Sequence, residues 1–482
     1  DFTFVLGFPG GTTRYRESWA IEYARDANFP FLYKWLRALS DELKAIGQTD
    51  EAKRIAFQAD IANFDNSRKL YEGGTKRLRL ARLVEARQAE EAKLAGWMAA
   101  DPARQQKYGF VLPELKQLSE TTNAAQMRDV IIRRFPDPNS MPVMVAAIQA
   151  LTAVRLGRLP NEQQKAQILA SVKASFASRE PDLEREMIKF FLHQLDLLPA
   201  DQRFAAADQR FAGKTPAARR ANEAAWANER ATGELTTPEA IMSLYSMSWD
   251  ELKQKHPFGT ALVEERLALN ARTTNYNSKI DRLRLAYQQA LAEMRGNTPY
   301  PDANFTMRFT YGNVKGYRSR EAEQRFPFTT IKGVVEKDTG EPPFDAPKKL
   351  VDLQTAHDFG RYGEGDSVVV NFLSTTDIIG GNSGSPVLNG NGEQVGIVFD
   401  GNFEGLGNDF YYDPDVNRTI SCDIRYVLFV TEKFSGAKWV VDEIKTAGGG
   451  AKTRTAGAVA SNFEKLGKQD DRTGFRRPGF LY

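Results

Sequence analysis

Two periodicities divide the 482-residue chain. Through its middle, apolar positions recur at helical spacing. Trp35, Leu36, Leu39, Leu43 and Ile46 share one face, with Gly47 as the expected stop, and Thr49 and Asp50 offer caps for a helix carrying Ile55, Ala56 and Phe57. Ile280, Leu283, Tyr287, Leu291 and Met294 form a second stripe, ended by Gly296. After Asn297 the period falls to two: Phe305, Met307, Phe309 and Tyr311 alternate with Thr306, Arg308 and Thr310. Further strands are expected at Val368–Phe372, Pro386–Leu388, Val395–Phe399 and Ile424–Val430, and Asn389-Gly-Asn-Gly392 is a hairpin signal. The chain opens on another alternation, Phe2, Phe4 and Leu6 against Thr3 and Val5, broken by Gly7, Pro9, Gly10 and Gly11. Such a strand needs a partner that the helical region does not supply. Either the chain starts partway through a domain, or this strand pairs with one near the C-terminus. No initiator Met, basic n-region or apolar h-region is visible at the start.

Glycine usage draws the same boundaries. Of the 37 glycines, three fall in residues 1–14, ten in 15–297 and 24 in 298–482. Expected domains are therefore a strand remnant over 1–14, a helical domain over 15–297, a β domain over 298–446 and a basic, disordered tail over 447–482. Runs such as Glu85–Lys93 read as solvated helix faces. The echo of Asp201-Gln-Arg-Phe in Asp208-Gln-Arg-Phe occurs once, which does not support a solenoid.

Charge and rare residues narrow the chemistry. Lys plus Arg is 65 and Asp plus Glu is 62, a net +3. That near-neutral balance argues against a nucleic-acid or polybasic membrane surface. It divides into −1 over residues 1–450 and +4 over 451–482, so it describes neither part. One cysteine, Cys422, rules out an internal disulfide framework and a Cys-based zinc site. His193, His256 and His357 have no i, i+4 pairing that would suggest a metal centre. No apolar run approaches 18 residues, so no membrane-spanning helix is expected.

The sharpest chemical feature is Thr375-Thr-Asp-Ile-Ile-Gly-Gly-Asn-Ser-Gly-Ser-Pro386, set between two expected strands. A serine nucleophile must stand on a tight, exposed turn, with backbone N–H groups converging on the developing oxyanion. Gly381 permits the unusual dihedrals, the amides of Gly381 and Ser383 can face one hollow, and Gly384 lets a substrate backbone pass close by. An ordinary Gly/Ser-rich hairpin loop is the plain alternative. With the strands on both sides and Val395-Gly-Ile-Val-Phe-Asp-Gly401 following, a chymotrypsin-like serine peptidase is the better reading.

This stretch resembles the bacterial dipeptidyl-peptidase 7 and dipeptidyl-peptidase 11 serine peptidases, which remove dipeptides from free N-termini. Three further segments carry the resemblance: Gly7-Phe-Pro-Gly-Gly-Thr-Thr-Arg-Tyr15, Tyr300-Pro-Asp-Ala-Asn-Phe-Thr-Met-Arg-Phe-Thr-Tyr-Gly312, and Asn417-Arg-Thr-Ile-Ser-Cys-Asp-Ile-Arg-Tyr-Val-Leu-Phe-Val430. The likeness extends over residues 1–446. It implies an α+β multidomain fold: a chymotrypsin-like double antiparallel β-barrel with a large α-helical domain inserted between the barrels. Residues 1–14 would be the last strand of a first barrel otherwise missing here, and residues 298–446 the second barrel.

The resemblance also implies roles. Ser383 is the expected nucleophile, with an oxyanion hole from Gly381 and the Ser383 amide, joined by Asn382. Asp400, in Phe399-Asp-Gly-Asn402, resembles the aspartate that holds the substrate's α-ammonium group; as Asp-Gly-Asn it is also ordinary turn chemistry. Gly401 occupies the position where the family has Arg for acidic specificity and Gly for apolar specificity, which implies an aromatic or aliphatic second substrate residue. Asn63, in Ile61-Ala-Asn-Phe64, resembles an asparagine that clamps the substrate's N-terminus. The following Asp65-Asn-Ser-Arg departs from the family pattern, and a surface or capping role fits Asn63 equally.

The family's catalytic histidine and aspartate would lie upstream of Asp1, and none of the three histidines here resembles that histidine. Without a base Ser383 is a weak nucleophile, so this chain alone is expected to be inactive. No cofactor or metal is implied. Oligopeptide substrates, export to the periplasm or cell surface, and a homodimer are. The competing readings are a chymotrypsin-like endopeptidase and a non-catalytic helical scaffold or binding protein.

Overall fold

Spacing that looks uniform in the sequence divides into separate helices, several of them started by a side chain that satisfies orphan N–H groups of the new first turn. The computed structural model describes residues 1–123, 126–341, 343–448 and 480–481. They form two units, Asp1–Tyr15 with Tyr300–Tyr482, and Arg16–Pro299.

In the second of these, the helix Phe29–Thr49 buries Phe31, Leu32, Trp35, Leu36, Leu39 and Leu43. Gly47 is not its stop: the helix runs on to Thr49, and a Cβ on Gly47 would sit 3.1 Å from the Arg54 Cα. The chain instead breaks at Asp50, whose carboxylate accepts from the Lys53 N–H at 3.1 Å and caps the helix Glu51–Ala56. The second stripe lies on the 39-residue helix Pro257–Arg295, which ends as expected at Gly296. Its first half contributes Phe258, Leu262, Val263 and Leu269 to one core, and its second half Ile280, Leu283, Tyr287 and Leu291 to another. The echoed segment has a structural use: Phe204 and Phe211 both pack on Phe258, at ring separations of 5.6 and 5.3 Å. The Glu85–Lys93 run is only partly a solvated face. Arg87 and Glu91 are buried, and Glu91 accepts from the Ser18 N–H and hydroxyl, both at 2.7 Å.

The other unit is built on antiparallel strands. In chain order these are β1 (Phe2–Gly7), β2 (Arg308–Asn313), β3 (Tyr317–Arg320), β4 (Glu323–Arg325), β5 (Phe328–Thr330), β6 (Val369–Ser374), β7 (Pro386–Asn389), β8 (Gln394–Gly401), β9 (Thr419–Asp423) and β10 (Phe480–Leu481). One sheet has the order β10-β2-β1-β7-β8-β9-β6-β5, and β3 pairs with β4. The opening strand, for which the resemblance implies a place in a first barrel, lies in this chain between β2 and β7: Val5 faces Thr310 on one side and Val387 on the other. The sheet also curls back on itself. Val314, just past β2, bridges Ser374 at the end of β6, with Lys315 N–H donating to Leu373 O and Thr375 N–H to Asn313 O, both at 3.0 Å. Val5, Phe372, Ile378, Val387 and Val398 fill the interior.

Two strand expectations are corrected. Ile424–Val430 is not a strand: β9 ends at Asp423, whose carboxylate accepts from the Arg425 N–H at 2.8 Å and starts the helix Ile424–Phe429. Phe305 and Met307 precede β2, are exposed, and do not extend it; Phe305 has φ +61°. Of the expected tail, Ala447 and Gly448 end the helix Lys438–Gly448, and Phe480–Leu481 pair with β2; the remainder lies outside the described residues.

Candidate active site

The segment from Thr375 to Ser385 joins β6 to β7 and is folded by its own backbone. Asn382 N–H donates to Ile379 O at 3.1 Å, Ile379 N–H to the Asn382 side-chain oxygen at 3.2 Å, and Ser385 N–H to Asn382 O at 2.9 Å. Strand β8 pins the end of the turn, with Gly384 N–H on Val398 O at 2.7 Å and Val398 N–H on Ser385 O at 2.9 Å. Two amides at the apex are left over. Among the described residues, the N–H groups of Gly381 and Ser383 donate to no protein acceptor. Set beside an exposed hydroxyl, these two donors have the parts of an oxyanion-binding hollow.

Gly381 is required here on two counts. Its φ is +105°, and a Cβ would lie 2.6 Å from Phe8 O and 2.9 Å from Gly10 N, in the segment leaving β1. Gly384 is open in the other sense, since a Cβ there would meet nothing within 4 Å. Ser383 is exposed, and its hydroxyl approaches one acceptor, Phe399 O, at 3.5 Å. That carbonyl lies in β8 where the pairing with β9 shifts register, between Val398 and Asp400. No imidazole hydrogen-bonds Ser383 among the described residues.

The other expected residues fall out differently. Asn382 is 2% exposed, and its backbone N–H and side-chain oxygen are both used inside the turn, so it braces the hollow and its backbone N–H adds no donor to it. Asp400 is exposed; its carboxylate accepts from the Gly401 N–H at 2.8 Å. Gly401 pairs with Thr419, and a Cβ at this position would meet only Arg418 O, at 3.9 Å, so a side chain has room. Asn63 belongs to the other unit, exposed on the helix Gln58–Leu80, where its neighbour Asp65 accepts from Ser40 and Lys44. Of the histidines, His193 contacts Arg220 through Nδ1 at 3.0 Å, and burial holds His256 below its ordinary pKa. His357 is on no strand; it follows the helix Lys348–Thr355 with φ +52°. Among the described residues, no three of His, Cys, Asp and Glu gather where they could hold a metal ion, and no helix is long and apolar enough to cross a membrane.

Two residues that sequence reasoning left without a role meet beside this turn. The Arg14 guanidinium grips the Asp377 carboxylate with both nitrogens of its fork, at 2.5 and 2.8 Å, and both side chains are nearly buried. Tyr300 and Tyr412 flank the guanidinium, their centroids 6.0 and 5.8 Å away, and burial drives both phenols far above their ordinary range. Burial also lifts Asp409 to about 6, partly offset by Arg14. Each partner lies inside a quoted motif, but nothing local announces a pairing across 363 positions.

A sheet unit carrying an exposed serine on a glycine-bounded turn, in a chain that also folds a separate unit of helices, is what comparison with known proteins has to explain. The chain belongs to the peptidase S46 family, whose family model matches residues 1–446. It is 31% identical over 468 residues to dipeptidyl-peptidase 7 of Capnocytophaga gingivalis, covering 92% of this chain and 63% of that protein. It is 28% identical over 500 residues to the Asp/Glu-specific dipeptidyl-peptidase of Shewanella putrefaciens, covering 92% and 64%. In fold it is similar to the crystal structure of Porphyromonas endodontalis DPP11 in complex with the dipeptide Arg-Asp, with a TM-score of 0.74 at 24% identity, covering 92% of this chain and 64% of that one. The chain thus spans less than two thirds of the length of these relatives.

Proposed function

We propose that this chain is the nucleophile-bearing portion of a serine exopeptidase that releases dipeptides from the free N-terminus of oligopeptides. The observation that carries the reading is the turn at Ser383: an exposed hydroxyl flanked by the unclaimed amides of Gly381 and Ser383. Those amides hold the oxyanion that forms when Ser383 Oγ attacks the carbonyl carbon of the second substrate residue, whose bond to the third residue then breaks. The proton leaves to a histidine outside this sequence, oriented by an aspartate, since Ser383 contacts no base here. The order β2-β1-β7-β8-β9-β6, its ends joined through the Val314–Ser374 bridge, supports a closed chymotrypsin-type barrel. Kinship to dipeptidyl-peptidases supports the dipeptide as the unit released; export beyond the cytoplasmic membrane and a homodimer belong to the proposal alone.

Asp400 receives the substrate's ammonium group. An exposed carboxylate gains little from a cation in water, so Asp400 becomes effective only as bound substrate excludes solvent around it. Gly401 brings neither charge nor bulk, which supports an aromatic or aliphatic second residue. Relatives named for dipeptidyl-peptidase 7 and for Asp/Glu specificity are similarly close, at 31% and 30% identity. Overall likeness therefore does not choose between specificities, and residue 401 does.

The test is labelling of the longest natural form of the protein with a serine-reactive phosphonate dipeptide. Stoichiometric adduct at Ser383, lost in Ser383→Ala, is expected. Absence of labelling would favour the non-catalytic scaffold, and cleavage of N-terminally blocked peptides would favour an endopeptidase.

A further inference from the structure

The nucleophile turn is pressed against the segment that leaves β1. Gly10 N–H donates to Gly380 O at 2.7 Å, and Phe8 O walls Gly381. The third and strongest attachment is Arg14. Its fork holds Asp377 six positions before the nucleophile, its Nε donates to Asn408 O at 3.0 Å, and its backbone N–H donates to the Asp302 carboxylate at 2.9 Å. Asn408 closes the loop by donating from Nδ2 to Ile378 O at 3.3 Å. The side chain of Asp377 and the carbonyl of the next residue are thus both tied to one guanidinium, which itself is fixed at both ends. From Ile379 the reciprocal bonds with Asn382 carry that placement to Ser383.

A buried bidentate pair is geometrically exacting and adds little net stability over well-packed apolar groups of similar size. An interior site that needed only bulk could be filled by such groups. A turn whose amides must aim at one point gains from a partner that fixes direction as well as distance.

We propose that Arg14 and Asp377 are the positioning pair of the nucleophile turn, setting the aim of the Gly381 and Ser383 amides without touching substrate. This rests on the reading of Ser383 as nucleophile. The pair acts on the transition state and leaves ground-state binding of the dipeptide largely alone.

The experiment compares four forms of the longest natural protein: wild type, Ser383→Ala, Arg14→Lys, and Arg14→Met combined with Asp377→Leu. The last removes both charges together and leaves none buried alone. The double variant, with melting near wild type, is expected to lose roughly 100-fold in kcat and in the rate of phosphonate labelling. Its KM should change by less than about threefold. Arg14→Lys, which keeps the charge and loses the fork, should fall between. If the double variant melts below the assay temperature, Arg14→Lys decides by the same readouts. A double variant with kcat and labelling near wild type would overturn the proposal, as would a raised KM at unchanged kcat. If Ser383→Ala hydrolyses peptides normally, the reading of Ser383 itself falls, an outcome distinct from failure of the pair.

Discussion

The helical unit fills its interior largely with apolar side chains and rings, and two of its buried carboxylates, Glu91 and Glu184, accept from N–H groups at helix starts. In the sheet unit, buried polar side chains are about as numerous as buried apolar ones among the described residues. In the first, Phe258 touches Phe204, Phe211 and Trp226 at 5.0 to 5.6 Å, and Glu184 accepts from the Val143 and Met144 N–H groups at the start of the helix Pro142–Arg155. In the second, Ser374, Thr376, Asp377, Asn382 and Thr419 cluster around the turn at Ser383. Apolar cores tolerate repacking if volume is kept, whereas a buried polar network fails if one partner goes. The difference assigns stability to one region and geometric precision to the other.

The largest effect expected from breaking this contrast is Phe258→Ala. Removing a fully packed ring costs about 3–5 kcal/mol. Hydrogen exchange should report the loss in peptides of the helical unit, and the protection of β6 to β9 should not fall first. Early loss in the β-strands would erase the distinction.

A somewhat smaller effect comes from pH. Burial pushes the Glu184 carboxyl from 4.5 up to about 7, partly opposed by the two backbone donors and Arg179. Glu223 moves the same way, from burial first and Asp196 next. The folded state therefore holds a proton that the unfolded chain has released, and stability falls as pH rises from about 4.5 through about 7. For Glu184 alone the fall is about 3 kcal/mol. Denaturant unfolding of wild type against Glu184→Gln isolates it, with the difference between the two changing across that window. A difference independent of pH would contradict the assignment.

The smallest effect concerns selectivity. Gly401→Arg, which has space at its Cβ, should raise preference for Asp or Glu over apolar second residues by at least about tenfold. Unchanged ranking across a dipeptide substrate series would remove Gly401 as the determinant.

Much of this was legible wherever the determinant is local. Gly296 ends its helix and Asp50 starts one because a left-handed cap and an N-cap are written in single residues. The glycines around Ser383 announced the turn for the same reason. Ile424–Val430 misled because β-branched and aromatic residues suit strands, yet the carboxylate of Asp423 and the packing of Phe429 beside Ile331 and Val368 favour a helix. Gly47 misled because a glycine can serve close packing as well as a stop. Asn382 was read as a donor to the hollow, although short polar side chains in turns commonly bond their own backbone. Arg14 and Asp377 were unreadable as a pair because their meeting depends on β1 lying between β2 and β7, a long-range fact of topology.

Everything proposed for the site turns on the release of dipeptides from free N-termini by Ser383. Its most direct measurement is mass analysis of the products that the longest natural form of the protein makes from one oligopeptide, offered with a free and with an acetylated N-terminus, alongside Ser383→Ala. Successive dipeptides are expected from the free peptide, none from the acetylated one, and none from either with the variant. Equal cleavage of both peptides, or dipeptide release by Ser383→Ala, would contradict it.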